Sequence, residues 1–237
     1  MRAFFVPILA GGSLRDRMMA CLGALIGIAL TSAISASFVH PHGSVLLIAA
    51  PMGAAAVLVF AVPASPLAQP WPVIGGNVLS ALVGIVVARL VPVPEFAAAI
   101  AVAGAILVMS LTRSLHPPAG AVALTAVVGG PAVLQAGFAF AVVPIALNAN
   151  ILTACGILFH RFSGHSYPHR AIPVSGKPLI PDEATPHPED LDKALVDLGE
   201  TLDVSREDLD LLFGRVAYHA AHRRTRSISG DPPGRVA

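Results

Sequence analysis

Between Met18 and His160 the chain carries only three charged side chains in 143 residues: Arg89, Glu95 and Arg113. A domain folded in water needs polar material for its surface. A stretch this long without it folds only where its outer face meets hydrocarbon. The whole chain agrees, with 55% of residues apolar, 12% charged and a mean hydropathy of +0.74. Fifteen Lys and Arg against fourteen Asp and Glu leave no excess charge for a phosphate backbone, and aromatic residues are 5%, so nucleic acid is not an expected partner. The sequence therefore predicts an all-α, polytopic membrane protein.

Helices that cross a bilayer core of about 30 Å need roughly 20 apolar residues. Six segments come near that length or fall short of it in a patterned way: 18–39, 45–62, 73–91, 95–112, 118–128 and 133–159. The second contains Pro51 and Gly53, the fifth is too short to cross alone, and the sixth is expected to tilt or bend at Pro144. Six helical segments with the second and fifth interrupted is the preferred reading. Four spans, with those two as half-crossings, is the alternative. Arg15 and Arg17 precede the first segment and Arg161 and Arg170 follow the last, so the positive-inside rule places both termini in the cytoplasm of a bacterial-type inner membrane. Domain boundaries follow the charge: an N-terminal segment 1–17, a membrane domain 18–160, a linker 161–187, a helical hairpin 188–226 and a tail 227–237.

Two echoes run through the membrane domain in the same order. His40-Pro-His-Gly is followed in kind by His116-Pro-Pro-Ala-Gly, and Asn77-Val-Leu-Ser-Ala by Asn150-Ile-Leu-Thr-Ala. A competing register pairs Pro51-Met-Gly-Ala with Pro118-Ala-Gly-Ala. Either way the expectation is two three-segment repeats. Because three is odd, the second would be inserted upside down, with interrupted helices meeting near the midplane.

Candidate functional residues gather at the interruptions. In Thr112-Arg-Ser-Leu-His-Pro-Pro-Ala-Gly-Ala121, Pro117 and Pro118 suit the first turn of a helix and Gly120 permits close approach. Exposed amides and the helix dipole there would favour an anion, with Arg113 beside them; a plain helix start with Arg113 reaching the headgroups is the alternative. His116 is placed to donate to an anion, to take a proton or to gate a path. Pro51 and Gly53 mark the other break. Asn77 and Asn150 either fasten helices or line a polar route. No metal site or cofactor is expected: Cys21 and Cys155 sit in apolar runs without ligand spacing, and no phosphate-loop, dinucleotide or haem fingerprint occurs. No nucleophile constellation points to an enzyme. In the tail, Leu191, Leu195 and Leu198 fall on helical spacing, and Ser205-Arg-Glu-Asp208 is a capping-box start for a helix with Leu209, Leu212, Phe213 and Val216 on one side.

The string Leu115-His-Pro-Pro-Ala-Gly-Ala121 resembles the HPP family of integral membrane proteins, named for this motif. Pro51-Met-Gly-Ala-Ala-Ala-Val-Leu-Val-Phe60, Ser65-Pro-Leu-Ala-Gln-Pro70 and Gly75-Gly-Asn-Val-Leu79 resemble its other signatures in order, over about residues 15–159. Asn77 stands where the family commonly has His, which counts against a mechanism needing two imidazoles. Family descriptions give four spans. Some relatives carry CBS domains, for which this tail is too short. Plant and cyanobacterial relatives are associated with nitrite transport, so the resemblance implies permeation of a small inorganic anion, with nitrite first. On that expectation the anion is drawn to Arg113 and the helix start after His116, then passes Asn77 and Asn150. Passive flow and proton coupling through His116 both stay open. A sensory or scaffold role acting through the helical tail is the alternative. Membrane lipid and a homo-oligomer are the other expected partners.

Overall fold

The computed structural model describes residues 13–38, 49–171, 187–199 and 202–229; His40, His42 and most of the linker lie outside them. The chain forms two compact units, residues 1–169 and 170–237. Among the described residues all regular structure is helical.

In the first unit α1 spans Leu14–Phe38, α2 Pro51–Ala61, α3 Asn77–Leu90, α4 Pro94–Leu111, α5 Pro117–Val128, α6 Pro131–Ala136 and α7 Leu147–Ser163. Wide π-type turns, Pro72–Gly76 and Ala141–Ala146, lead into α3 and α7. Among the described residues four stretches are long and apolar enough to cross a membrane: Leu14–Ser37, Pro72–Leu90, Pro94–Leu111 and Ala141–Ser163, with mean hydropathies from 1.9 to 2.0. At 1.5 Å per residue α2 and α5 reach only about 16–18 Å, roughly half of the core thickness. Both short helices open on proline, Pro51 in one and Pro117-Pro118 in the other.

The sequence explains these boundaries. Ser13 accepts from the Asp16 amide at 3.3 Å while Asp16 accepts from the Ser13 amide at 2.8 Å, which is a capping box at the start of α1. Near Pro144 the helix opens: Val143 has extended dihedrals (φ −128°, ψ 116°), because the residue before a proline is pushed out of the helical region. Gly137 (φ 51°) makes a second break that the sequence reading folded into one long segment.

Contacts along the helices fix their directions. Arg17 reaches the Ala61 carbonyl (3.2 Å), Trp71 Nε1 the Thr112 carbonyl (3.0 Å) and the Tyr167 hydroxyl the Ala68 carbonyl (2.9 Å), which gathers one end of the unit. At the other end Ser35 meets Asn148, and the Arg89 guanidinium lies 4.5 Å over the Phe138 ring. The six main helices α1 to α5 and α7 therefore alternate in direction. A long helix, a short Pro-led helix and a long helix with a wide turn ahead of it occur twice in that order. Packing repeats as well: α1 lies against α2 and α7, α4 against α5 and α3, and the pairs α2·α7, α3·α5 and α2·α5 join the sets.

The first unit runs past the charge boundary at residue 160. Tyr167 and His169 fold back on the loop after α2, where the Gln69 side-chain oxygen accepts from the His169 amide at 2.8 Å. Burial pushes the Tyr167 phenol up from its ordinary value, so its proton stays on to hold the Ala68 carbonyl.

In the second unit α8 spans Pro188–Leu198 and α9 spans Arg206–Ser229. His187 and Asp190 form a capping box on α8, and Ser205 accepts from the Asp208 amide (3.1 Å) to start α9, as Ser205-Arg-Glu-Asp208 predicts. Arg206 bonds Asp192 on α8 and Asp210 on its own helix, at 3.0 and 2.5 Å. Leu191 on α8 and Leu209 on α9 are buried, whereas Leu212, Phe213 and Val216 are exposed.

Candidate functional site

The loop from α4 to α5 is built from the backbone outward. Helix α4 ends with the Arg113 amide on the Ser110 carbonyl (3.4 Å) and the Ser114 amide on the Met109 carbonyl (2.8 Å). This is the paired terminal bonding in which the residue after the cap turns left-handed. That residue is Arg113, with φ 53°, where glycine is the usual occupant. Its side chain is exposed at the end of the unit and is not drawn into the interior. Thr112 and Ser114 share a hydroxyl bond at 2.7 Å, and the chain then enters the protein at Ser114 and His116, both fully buried.

Gly76 makes that burial possible. A Cβ there would lie 2.5 Å from the Ser114 carbonyl oxygen and 3.0 Å from the His116 Cβ, so only glycine lets the wide turn before α3 pass this segment. Two turns further on, a Cβ at Gly84 would sit 2.6 Å from the Ala123 carbonyl oxygen. Helices α3 and α5 are thus in backbone contact along their length.

His116 Nδ1 lies 2.9 Å from the Leu67 carbonyl, while its Nε2 is buried without a protein partner. A carbonyl only accepts, so Nδ1 carries the hydrogen in this bond. On α3, Asn77, which follows Gly76, and Ser80 are both fully buried. Asn77 donates Nδ2 to the Val73 carbonyl at 2.6 Å, bracing the wide turn; its Oδ1 and the Ser80 hydroxyl are unpartnered. On α7, Asn148 Oδ1 accepts from the Ser35 hydroxyl at 2.6 Å while its Nδ2 is unpartnered, as is the Thr153 hydroxyl. Most hydroxyls here return to their own helix, as Thr31, Ser110 and Thr125 each do to the carbonyl four residues back. Ser80 and Thr153 do not.

Several sequence expectations change. The helix start after His116 offers few amides to an anion: Pro117 and Pro118 have none, and the Ala119 amide already bonds the His116 carbonyl at 2.9 Å. Pro51 likewise has none, and the Met52 and Gly53 amides bond Ala49 and Ala50. Asn150 is exposed; it repeats the local bond of Asn77, with Nδ2 on the Ala146 carbonyl at 2.8 Å, but the buried amide on α7 is Asn148. Gly53 and Gly120 hold matching places after Pro51 and Pro118, and a Cβ at either meets nothing within 4 Å, so helix packing does not call for glycine there. Gln69 is a loop staple, donating to the Pro63 and Ser65 carbonyls.

His160 was missed. It is buried on α7, with Nδ1 2.8 Å from the Ser163 hydroxyl and Nε2 2.9 Å from the Val59 carbonyl, among the rings of Phe60, Phe159 and Tyr167. A histidine at the apparent edge of the last apolar segment gave no signal, because the carbonyl it meets is 101 residues away in the chain.

Comparison with known proteins bears on the same region. Residues 10–168 match the family described as HPP, transmembrane region. A transmembrane protein of Dictyostelium discoideum is 42% identical over 120 residues, 48% of this chain and 42% of the relative. A second transmembrane protein of that organism is 37% identical over 115 residues, 46% of this chain and 36% of the relative. The chain thus spans less than half of either relative. No solved structure matches it.

Proposed function

The chain belongs to the HPP transmembrane family, and from that premise we propose that its first unit carries a small inorganic anion across a membrane, with nitrite the leading substrate. One observation supports this above the others: Asn77 Oδ1, Ser80 Oγ, His116 Nε2, Asn148 Nδ2 and Thr153 Oγ1 are buried and lack protein partners. Each such group costs roughly 1–3 kcal/mol when left unmade, and hydrocarbon offers no water to relieve it. Placing them on α3, α7 and the lead-in to α5 is sensible if a hydrated or polar solute meets them in passage.

What accompanies these atoms supports an anion over a cation. Between residues 18 and 160 the one carboxylate is Glu95, exposed at the start of α4, so no buried acid is present to hold a cation. Arg113 stands exposed at the end of the unit, just ahead of the buried Ser114 and His116, and would raise the local anion concentration. Its role in this reading is attraction at a mouth, with Asn77, His116 and Asn148 along the route, Gly53 and Gly120 leaving room beside Pro51 and Pro118, and Asn150 contributing little.

Two inverted three-helix repeats complete the proposal. The repeated element order, the reversed direction of each helix relative to its counterpart and the matched packing support it. Arg15, Arg17, Arg113 and Arg161 lie at the end of the unit shared by Trp71, while Arg89 lies at the other; under the positive-inside rule this supports the reading that the Trp71 end faces the cytoplasm. We further propose a homo-oligomer, and transport with no enzymatic step.

The test is nitrite uptake into liposomes holding the purified protein, against protein-free liposomes and an Asn77→Leu variant. Saturable uptake in the wild type that falls at least tenfold in the variant supports the route. Folded, inserted protein without uptake of nitrite, nitrate, chloride or formate removes it. A second reading, a sensory or scaffold protein, is favoured by the exposed apolar residues Val196, Leu212, Phe213 and Val216 in the second unit. It predicts no flux and a partner that is lost when 188–229 are deleted.

A further inference from the structure

We propose that the anion crosses together with one proton, carried on Nε2 of His116; this rests on the transport reading above. The argument begins with the Leu67 carbonyl. Because that oxygen accepts the 2.9 Å bond, the hydrogen of the neutral imidazole resides on Nδ1, and the buried Nε2 keeps a lone pair that no protein donor meets. A lone pair repels an anion. Once Nε2 takes a proton, the same atom becomes an N–H donor on a cationic ring and binds the anion it had rejected.

The surroundings make the two events depend on each other. Packed against this segment are Gly76 ahead of α3, Met109 on α4 and Leu67 on the turn before α3, none of them ionisable. Bonded to the residues that follow Leu67 are two titratable residues, Tyr167 through its phenol to Ala68 and His169 through its amide to Gln69. Arg113 is exposed three residues earlier and adds positive charge, and Arg89 and Glu95 belong to the opposite end of the unit. Among the described residues, then, no carboxylate is placed to neutralise an imidazolium at 116. The travelling anion supplies the missing counter-charge, and the proton supplies the missing donor.

The cycle balances without an oxidant or a leaving group. At one mouth a proton from water bonds to the Nε2 lone pair and the anion accepts the new N–H. At the other, the N–H bond breaks, the proton returns to water, and the anion leaves with it. One negative and one positive charge cross, so the step moves no net charge. A single imidazole suffices, which suits a chain that has Asn at position 77.

The experiment uses the full chain in liposomes with nitrite at equal concentration on both sides and membrane potential clamped by potassium and valinomycin. Internal pH is followed with a trapped dye, and protein-free liposomes of the same lipid are subtracted to remove leak of nitrous acid. An external acid step of one pH unit is expected to drive nitrite inward to about tenfold accumulation, at any clamped potential, with one proton per nitrite. His116→Gln can still donate to the Leu67 carbonyl but has no titratable nitrogen, and should lose the pH-driven accumulation. Wild-type flux that follows potential and ignores the pH step overturns proton coupling and leaves transport standing. A folded His116→Gln protein that still accumulates nitrite places the proton elsewhere and also overturns it. No protein-dependent flux under either gradient overturns both readings. The wild-type proton count stands on its own if the variant does not fold.

Discussion

Among its described residues the first unit buries two histidines, and their bonding separates them. His160 satisfies both ring nitrogens, on Ser163 and the Val59 carbonyl, and sits in a cluster of aromatic rings. His116 satisfies one, on Leu67, and holds the other against neighbours that offer it nothing. Both side chains join distant segments, so removing either is expected to disturb packing. Only one retains chemical capacity after the fold is complete. A buried polar group whose bonding is closed is spent on structure; one whose bonding is half open marks where a solute is expected.

The largest effect expected from breaking this contrast comes from Gly76→Ala. The new methyl would meet a backbone carbonyl at 2.5 Å, which cannot rotate away as a side chain can. Overpacking of this kind costs about 1–3 kcal/mol, and the segment carrying His116 must shift. A fall in the midpoint of thermal unfolding in detergent, together with lost nitrite flux, is the expected pair of readouts. Gly27→Ala is the control: its nearest atoms belong to the Phe60 ring, and it should cost less and spare flux.

Next in size is the exchange between the histidines themselves. His160→Phe keeps the ring packing and deletes two hydrogen bonds, which should lower stability by about 1–3 kcal/mol while flux per folded protein holds. His116→Gln should do the reverse, with a small change in unfolding midpoint and at least a tenfold fall in flux. Equal behaviour of the two variants in both assays would erase the distinction.

Arg113 gives a smaller effect with an unusual sign. Because its backbone is left-handed, Arg113→Gly should raise stability by roughly 1 kcal/mol, whereas Arg113→Ala should not. Both should weaken apparent nitrite affinity a few-fold at low salt, with the difference fading as ionic strength rises. Smallest of all, Asn150→Ala should alter stability by under about 0.5 kcal/mol and leave flux unchanged, while Asn148→Ala, which strands the Ser35 hydroxyl, should affect both.

Much of this was readable before the structure. The gap in charge located the membrane unit, prolines located the short second and fifth helices, and Ser205 with Asp208 located the start of α9. The breaks were readable because Pro and Gly act through the local backbone. What could not be read was which way a membrane helix faces. Asn148 and Asn150 lie two residues apart, about 200° around the helix, so one is buried and the other exposed. In a helix of a soluble protein, flanking polar residues would have chosen between them. Here lipid and protein interior are both apolar, and the periodicity carries no phase. Asn77 and Asn150, which echo each other in sequence, make the same local bond, yet only Asn77 is buried. The amides expected at the start of α5 failed for a simpler reason, since the prolines that begin the helix remove the donors an anion would use.

The central claim is that His116, and not His160, stands on an anion route. It is tested most directly by nitrite flux into liposomes measured per folded protein for wild type, His116→Gln and His160→Phe under one pH gradient. The account predicts saturable flux in the wild type and in His160→Phe, and loss of at least nine-tenths of it in His116→Gln. Undiminished flux in a folded His116→Gln protein would contradict it.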